Sequence, residues 1–326
     1  MDFTKTHIVH DYKVDRPLMS CCYSRDGAFV FVGSEDYKVW RFKVDDGSQA
    51  ELDTDAWVRA MCPGALDGML VTGGYDGRLI VWDALQETPA ATKTIEAHQG
   101  WIRTVAISPD RKFLASAGND LVIRLWDAAD GTLIRELKGH ESYIYNLAFH
   151  PAGKNLVSGD LYGNLFDWNV DTGEQKRTWK SESLSKYDKG FHARIGGFRG
   201  MVFSADGNRL ACSGITNVSN AFAGVGNPSV VIFDYNEAKQ VIEHLSKGPL
   251  QGVCWNVALH PEKVIVGSSG GSGGHLLFWK DGEAETFHQL KMPSDVRDFA
   301  LSPDHTHVAS AHGNGHLSIC RLDTKA

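Results

Sequence analysis

Residues 98–127 read HQGWIRTVAISPDRKFLASAGNDLVIRLWD, and residues 140–169 read HESYIYNLAFHPAGKNLVSGDLYGNLFDWN. The two stretches align without a gap, because 42 residues separate His98 from His140 and Trp126 from Trp168. Self-similarity at a fixed period of about 40 residues is the signature of a repeat architecture. The repeat therefore decides the fold, and it continues in both directions along the chain.

Five further copies share this frame. Each carries a polar turn after its first apolar run, and an aromatic residue closes most of the third runs. The turns lie at residues 24–27, 108–110, 150–153, 204–207, 260–261 and 302–304, with a weaker version at 63–68. The third runs end at Phe42, Trp82, Trp126, Trp168, Phe233, Trp279 and Cys320. These positions define seven copies.

Each copy divides into short apolar runs separated by turns. In residues 98–139 the runs predict four strands, at 101–107, 112–117, 122–126 and 133–137. No helical apolar period of useful length is present. A four-stranded sheet that repeats about every 40–45 residues is typical of the blades of a β-propeller. We therefore predict an all-β fold, a single seven-bladed β-propeller of four-stranded antiparallel blades.

The seventh copy indicates how the propeller closes. It ends after its third strand, at residues 316–322, and so lacks a fourth. Residues 7–12, which belong to no other copy, can supply that strand, and the pairing would remove exposed sheet edges. We expect a single domain over residues 1–326, with blade 7 closed by residues 7–12. Two insertions, at residues 181–197 and 215–228, lengthen the fifth copy.

The phased copies resemble the WD-repeat β-propeller family over nearly the whole chain. The Trp-Asp pair itself is present twice, as Trp82-Asp83 and Trp126-Asp127. In that family a loop His, a second-strand Ser or Thr, a turn Asp and a third-strand Trp form a structural hydrogen-bond network. The resemblance implies such a network for His98, Ser116, Asp120 and Trp126, for Thr72, Asp76 and Trp82, and for His140, Ser158 and Trp168, where Tyr162 replaces the Asp. A Ser-His-Asp catalytic triad is the alternative, but residue types alone do not define one.

A second pattern lies at the start of each first strand, where Trp57-Val-Arg59 aligns with Trp101-Ile-Arg103 and Tyr143-Ile-Tyr145. Residues two apart on a strand share a side, and the first strands of a propeller surround its central channel. We predict a belt of aromatic and arginine side chains around one channel mouth. It comprises Trp57, Arg59, Trp101, Arg103, Tyr143, Tyr145, Arg199, Trp255 and Arg297, with Tyr75 and Asn119 from neighbouring turns. Packing of these large side chains between blades is the alternative.

The belt predicts a non-catalytic scaffold that binds a protein or peptide, because aromatic residues and arginine are enriched at binding hot spots. The resemblance implies the same, since WD-repeat proteins often bind partners on this face. Both insertions should open there, where long loops are often functional. We expect no enzyme activity, no cofactor and no metal. Two alternatives are a nucleic-acid-binding propeller that uses the belt arginines, and an enzyme or small-ligand sensor that uses the central funnel.

Composition bears on these alternatives. The net charge is −7 and the isoelectric point about 6.0, which argues against nucleic acid and anionic membranes. The first residues lack the pattern of a signal peptide, and no apolar stretch is long enough to span a bilayer. The six cysteines form no Cys-x-x-Cys pair, which is typical of reduced, buried thiols. These features predict a cytoplasmic protein that binds no membrane.

Overall fold

A computed structural model of the protein describes residues 1–190, 192–220, 225–271 and 273–323. The fold is all-β, with seven four-stranded antiparallel sheets and one two-stranded sheet. The seven sheets are the blades of the β-propeller, so the predicted fold class is confirmed. Contacts group the chain into two compact units, one of Met1–Gly139 with the chain from Arg297 onward, the other of His140–Val296. The single domain over residues 1–326 stays a prediction.

The first unit contains four blades, except for Val296 at the start of blade 7, which belongs to the second unit. Each blade uses four consecutive strands, except the last, which takes its outer strand from near the start of the chain. Blade 1 consists of β2 (Leu18–Tyr23), β3 (Phe29–Ser34), β4 (Lys38–Lys43) and β5 (Gln49–Asp53). Blade 2 consists of β6 (Val58–Pro63), β7 (Met69–Gly74), β8 (Arg78–Asp83) and β9 (Ala90–Glu96). Blade 3 consists of β10 (Ile102–Ile107), β11 (Phe113–Gly118), β12 (Val122–Asp127) and β13 (Leu133–Lys138). Blade 7 consists of β28 (Val296–Leu301), β29 (His307–His312), β30 (His316–Arg321) and β1 (His7–Lys13).

The second unit contains the other three blades and a separate two-stranded hairpin. Blade 4 consists of β14 (Ile144–Phe149), β15 (Asn155–Asp160), β16 (Asn164–Asn169) and β17 (Gln175–Lys180). The hairpin consists of β18 (Ser185–Asp188) and β19 (Ala193–Gly196). Blade 5 consists of β20 (Gly200–Phe203), β21 (Arg209–Asn220), β22 (Val225–Asp234) and β23 (Lys239–Leu245). Blade 6 consists of β24 (Gly252–His260), β25 (Val264–Gly271), β26 (His275–Lys280) and β27 (His288–Lys291). The part of the chain described here has no helix that is long and apolar enough to cross a membrane.

The N-terminal strand completes blade 7, as the sequence predicts. β1 pairs antiparallel with β30 from His7 opposite Arg321 to Lys13 opposite His316. The ring of Tyr12 also stacks on Phe42 of blade 1 at 5.5 Å, and its hydroxyl donates to the Val44 carbonyl at 2.9 Å. β1 therefore joins blade 7 by backbone bonds and blade 1 by a side-chain contact.

Neighbouring blades of the first unit pack through their inner strands. Ile102 of β10 is fully buried against blade 2. A Cβ added at Gly73 of β7 would lie 2.5 Å from Cγ2 of Ile102, and one at Gly33 would lie 2.1 Å from the Val58 carbonyl oxygen. These glycines are required because backbone and side chains of adjacent blades approach each other too closely for any larger residue.

The 215–228 insertion was expected to be a long loop, and this expectation is wrong for the residues described. The insertion continues the β21–β22 pair, with Ile215 opposite Pro228 and Asn220 opposite Val225. Residues 221–224 of this insertion lie outside the described residues. Ladder pairing satisfies the backbone polar groups of the described part of this segment.

The 181–197 insertion forms the β18–β19 hairpin, apart from residue 191, which is not among the described residues. Lys186 of the hairpin donates from Nζ to the Val218 carbonyl at 2.5 Å. The Arg194 guanidinium lies over the rings of Tyr162 and Tyr187, at 4.6 Å and 5.7 Å. The two insertions of blade 5 are thus in contact with each other.

A buried histidine in the second unit makes stability depend on pH. His244 of β23 is fully buried, its Nδ1 donates to the Glu283 carbonyl at 2.7 Å, and no described group pairs with its Nε2. Burial lowers the pKa of this imidazole below its ordinary value. The unfolded chain therefore takes up a proton here as the pH falls below about 6.5, while the folded chain does not.

We expect the free energy of unfolding to decrease as the pH falls from about 6.5 toward the lowered pKa of His244. For one such group the slope is at most about 1.4 kcal/mol per pH unit. Urea unfolding at several pH values should show a shallower decrease in His244→Gln than in the wild type, whatever the variant's absolute stability. The same decrease in both proteins would contradict the assignment.

Candidate functional site

The four network residues of blade 3 form one chain of hydrogen bonds. His98 Nδ1 lies 3.0 Å from an Asp120 carboxylate oxygen, and His98 Nε2 lies 2.7 Å from Oγ of Ser116. The Trp126 indole donates to the same Oγ at 2.9 Å. Ser116 is fully buried, so a substrate could not reach its hydroxyl. The geometry of these side chains is that of a brace between loop and core rather than of a catalytic triad.

Asp120 is held in its charged form by two partners. Burial raises the pKa of its carboxyl, but the hydrogen bonds and charges of His98 and Arg124 outweigh burial and leave the pKa well below its ordinary value. Arg124 donates to the carboxylate from Nη1 at 2.6 Å. Loss of the carboxylate would leave polar atoms of both partners without their charged acceptor.

We expect Asp120→Ala to lower the free energy of unfolding by about 1–3 kcal/mol, the cost of leaving buried donors unpaired. The matched control is Asp26→Ala, since Asp26 is exposed in a turn where it accepts from Ser24. Urea denaturation of the two variants should show the larger loss for Asp120→Ala. Equal losses would count against the network.

Blade 4 builds its network with a different carboxylate from the one expected. His140 lies 2.9 Å from Asp160 through Nδ1 and 2.6 Å from Ser158 through Nε2, and Trp168 donates to Ser158 at 2.8 Å. The interpretation that Tyr162 leaves this copy without an acid is therefore wrong. Asp160, at the end of β15 and fully buried, takes the place of the turn Asp.

Blade 2 has a shorter network. Trp82 donates from its indole to the Thr72 hydroxyl at 2.9 Å. Asp76 instead accepts from Arg78 at 2.5 Å. With no histidine to link them, the two halves of the expected set remain separate.

Four aromatic side chains of the first unit lie in a continuous series, which we call the aromatic row: Tyr37, Trp57, Tyr75 and Trp101. Successive ring centroids are 6.5 Å, 6.0 Å and 4.2 Å apart, and the last pair is stacked nearly parallel. Tyr37, Trp57 and Trp101 are 52%, 36% and 42% exposed. The row is therefore an apolar surface open to solvent rather than packing between blades.

The loops of adjacent blades hold the row in place. Trp57 and Trp101 immediately precede β6 and β10, and their carbonyls accept from the backbone N–H groups of Tyr75 and Asn119, at 2.9 Å and 3.0 Å. The Trp57 indole donates to the Glu35 carbonyl at 3.1 Å. These bonds fix the loops that carry the rings, so a ligand would meet a largely preformed surface.

Arginines of the predicted belt lie beside the row. The Arg103 guanidinium is over the Trp101 ring at 5.4 Å, and its Nε donates to the Asn119 side chain at 2.6 Å. Arg59 donates to the Met19 carbonyl at 3.3 Å, and Arg297 forms an ion pair with Glu35 at 2.6 Å. Within the first unit the structure thus brings predicted belt residues into one neighbourhood.

A β-bulge, which the sequence did not predict, positions Arg59 and Arg103. In blade 3 Ile102 pairs with Gly118 and Thr104 with Ala117, which leaves Arg103 as an extra residue. Blade 2 has the same shift, at Arg59. The alternation assumed for residues two apart does not hold here, because a bulge redirects the side chain of the extra residue.

The second unit brings together three other predicted residues. The Arg199 guanidinium lies over the rings of Tyr145 and Trp255, at 4.5 Å and 5.1 Å. Asn146 donates to the Arg199 carbonyl at 2.9 Å. Tyr143 is 44% exposed. The arrangement of the whole belt around one channel mouth stays a prediction.

Sequence reasoning missed Tyr37 and Glu35. Both lie in the β3–β4 turn, and Tyr37 has a positive φ of 63°, a conformation that few residues other than glycine adopt. The corresponding position of blade 2 is Gly77, also with positive φ. The sequence did contain an indication of Tyr37: an aromatic residue occupies a turn position that favours glycine, which suggests that its side chain has a role other than in folding.

Sites for other chemistry are not evident in the part of the chain that the structure describes. No group of three His, Cys, Asp or Glu side chains among those residues is placed to hold a metal ion. All six cysteines are buried and unpaired. Burial raises the pKa of the Cys62 thiol to about 12, which makes it a poor nucleophile.

Comparison with known proteins connects this geometry to a family. The family model described as "WD domain, G-beta repeat" matches residues 49–83, 90–127 and 131–166. The chain is 30% identical over 168 residues to protein transport protein sec13 of Emericella nidulans, covering 46% of this chain and 54% of that protein.

Two further relatives are more distant. Nuclear distribution protein PAC1 of Arthroderma otae is 27% identical over 193 residues, covering 51% of this chain and 42% of that protein. Apoptotic protease-activating factor 1 of Rattus norvegicus is 27% identical over 196 residues, covering 59% of this chain and 15% of that protein. The chain spans about half the length of the first relative and less of the other two.

Proposed function

We propose that this chain, which matches the WD-repeat family model in three stretches, is a non-catalytic scaffold that binds a protein or peptide partner through its aromatic row. The observation that carries the proposal is the exposure of three large rings in one continuous series, on loops that are hydrogen bonded to each other. Contiguous exposed apolar surface is uncommon on soluble proteins and marks sites of interaction. Tyrosine, tryptophan and arginine dominate such sites energetically.

Preformed geometry supports the same proposal. The ring of Trp101 is stacked on Tyr75 and covered by Arg103, so little rotamer freedom is left to lose on binding. A partner that covers the row would remove these rings from water at low entropic cost. The row lies on blades 1 to 3, so we place the main contact of the partner there.

An enzyme is disfavoured because the Ser116 and Ser158 hydroxyls, each hydrogen bonded to a histidine that also contacts an aspartate, are both fully buried. Nucleic-acid binding is the second candidate from the sequence, and the net charge of −7 disfavours it. We place the protein in the cytosol, because six buried thiols without a disulfide suit a reducing compartment.

Affinity capture from the native cell tests the proposal. The wild-type chain should retain a protein partner that the double variant Trp101→Ala/Arg103→Ala loses. Leu133→Ala is the matched control, since Leu133 is equally exposed but lies on β13, away from the row. A salt series identifies nucleic acid, because phosphate contacts weaken steeply as salt increases. Identical partners for wild type and double variant would refute the proposal.

A further inference from the structure

We propose that the aromatic row binds a proline-rich segment in the polyproline II conformation. This inference rests on the proposed function, whose partner it assigns to a chemical class. Three properties of the row support it: the arrangement of the rings, the hydrogen-bond donors that the rings carry, and the pairing of the carboxylates beside them.

The rings offer surfaces on which a ligand lies but few gaps into which it inserts. Tyr75 and Trp101 are 4.2 Å apart with 11° between their planes, so nothing can enter between them. Trp57 meets Tyr75 at 63°, which gives the row an angled, ridged surface. Planar bases need free ring faces for stacking, whereas proline rings pack against ridged aromatic surfaces such as those of known proline-binding grooves.

Three side chains of the row carry hydrogen-bond donors. Among the described residues, nothing accepts from the hydroxyls of Tyr37 and Tyr75 or from the indole N–H of Trp101. A polyproline II segment has no internal hydrogen bonds, and its prolines have carbonyl acceptors but no N–H donors. A surface that supplies donors next to apolar rings is complementary to such a backbone.

The backbone of the row cannot extend a sheet into the ligand. The Trp57 and Trp101 carbonyls already accept from the N–H groups of Tyr75 and Asn119. Addition of a peptide as an extra strand requires a row of unpaired backbone groups. Recognition here must therefore use side chains, as it does for proline-rich ligands.

Three carboxylates beside the row are already in ion pairs. Glu35 is paired with Arg297 at 2.6 Å. Asp55 and Asp76 share Arg78, at 2.6 Å and 2.5 Å. A strongly cationic or anionic peptide would have to compete with these pairs, whereas an uncharged segment would leave them intact. These paired carboxylates therefore offer little to a cationic peptide, and a ligand with uncharged contacts would leave the pairs in place.

The experiment is selection of a random peptide library, displayed on phage, against the full chain, with counter-selection on Trp101→Ala. We expect enrichment of proline at spaced positions. The selected peptide should bind the wild type at least about tenfold more tightly than Trp101→Ala or Tyr37→Ala. Because the contacts are uncharged, its Kd should change less than about twofold between low and high salt.

Controls separate this inference from the scaffold proposal. Leu133→Ala should bind the peptide like the wild type, and replacing the peptide's prolines by glycine should abolish binding. Enrichment of charged peptides without proline, equal binding to Trp101→Ala, or no selectable peptide at all would overturn the proline assignment. If native capture still depends on Trp101 in those cases, the scaffold proposal stands and its partner belongs to another class.

Discussion

Deletion of residues 1–13 is expected to lower the melting temperature by on the order of 10 °C or more. The deletion removes β1 from β30, which exposes a long edge strand, and removes the Tyr12 ring from Phe42. Loss of one kcal/mol shifts the melting temperature by about 2–4 °C in domains of 150–250 residues, and an entire strand contributes several such increments.

Thermal unfolding followed by circular dichroism measures this effect. Addition of a synthetic peptide of residues 1–13 should restore part of the lost stability, whereas a scrambled peptide should not. The partial rescue would show that the effect arises from strand pairing rather than from misfolding of the shortened chain. A deletion variant with the same melting temperature as the wild type would contradict the role of β1 in closing blade 7.

The second large effect concerns binding. Trp101→Ala should weaken partner binding by about 2 kcal/mol or more, which is roughly thirtyfold in Kd. Trp101 is the ring that contacts both Tyr75 and Arg103, so its removal also takes away the support of two neighbours. Calorimetric titration with the captured partner measures the change.

The matched control for this titration is Leu133→Ala, which removes an apolar side chain that is about as exposed as Trp101. It should leave the Kd unchanged. The melting temperature of Trp101→Ala should stay within a few degrees of the wild type, because its ring is 42% exposed. Undiminished binding by a folded Trp101→Ala protein would show that the row is not the anchor.

Much of the fold could be predicted from the repeat. The third copy predicted strands at 101–107, 112–117, 122–126 and 133–137, and the structure has them at Ile102–Ile107, Phe113–Gly118, Val122–Asp127 and Leu133–Lys138. Short apolar runs and the turns between them fix such strands locally. The β21–β22 extension could not be found this way, because its small polar residues are typical of loops and its pairing depends on the partner strand.

The site was predictable at the level of residue type but not of geometry. Trp57, Tyr75, Trp101 and Arg103 follow from the alignment of copies. Tyr37 does not, since it occupies a position where the corresponding residue of blade 2 is glycine. Asp160 was missed for a related reason. Alignment of the copies places Tyr162, not Asp160, at the position of Asp120, and Asp160 contacts His140 from the end of its strand. Hydrogen-bond partners are determined by distances in the folded structure, and spacing along the sequence predicts only some of these distances.

The bulge on the inner strands has a consequence for how this protein can change. The extra residue is Met19 in blade 1, Arg59 in blade 2, Arg103 in blade 3 and Tyr145 in blade 4. None of these four pairs in the ladder of its own blade, so the sheet places little demand on side-chain shape there. Met19 is buried, but Arg59, Arg103 and Tyr145 are partly exposed, so substitutions at these three positions can alter binding with little cost to the pairing of the blade. Binding specificity and folding therefore depend on different residues of the same strand. The bulge position can change to recognise another partner, while its neighbours in the strand maintain the blade.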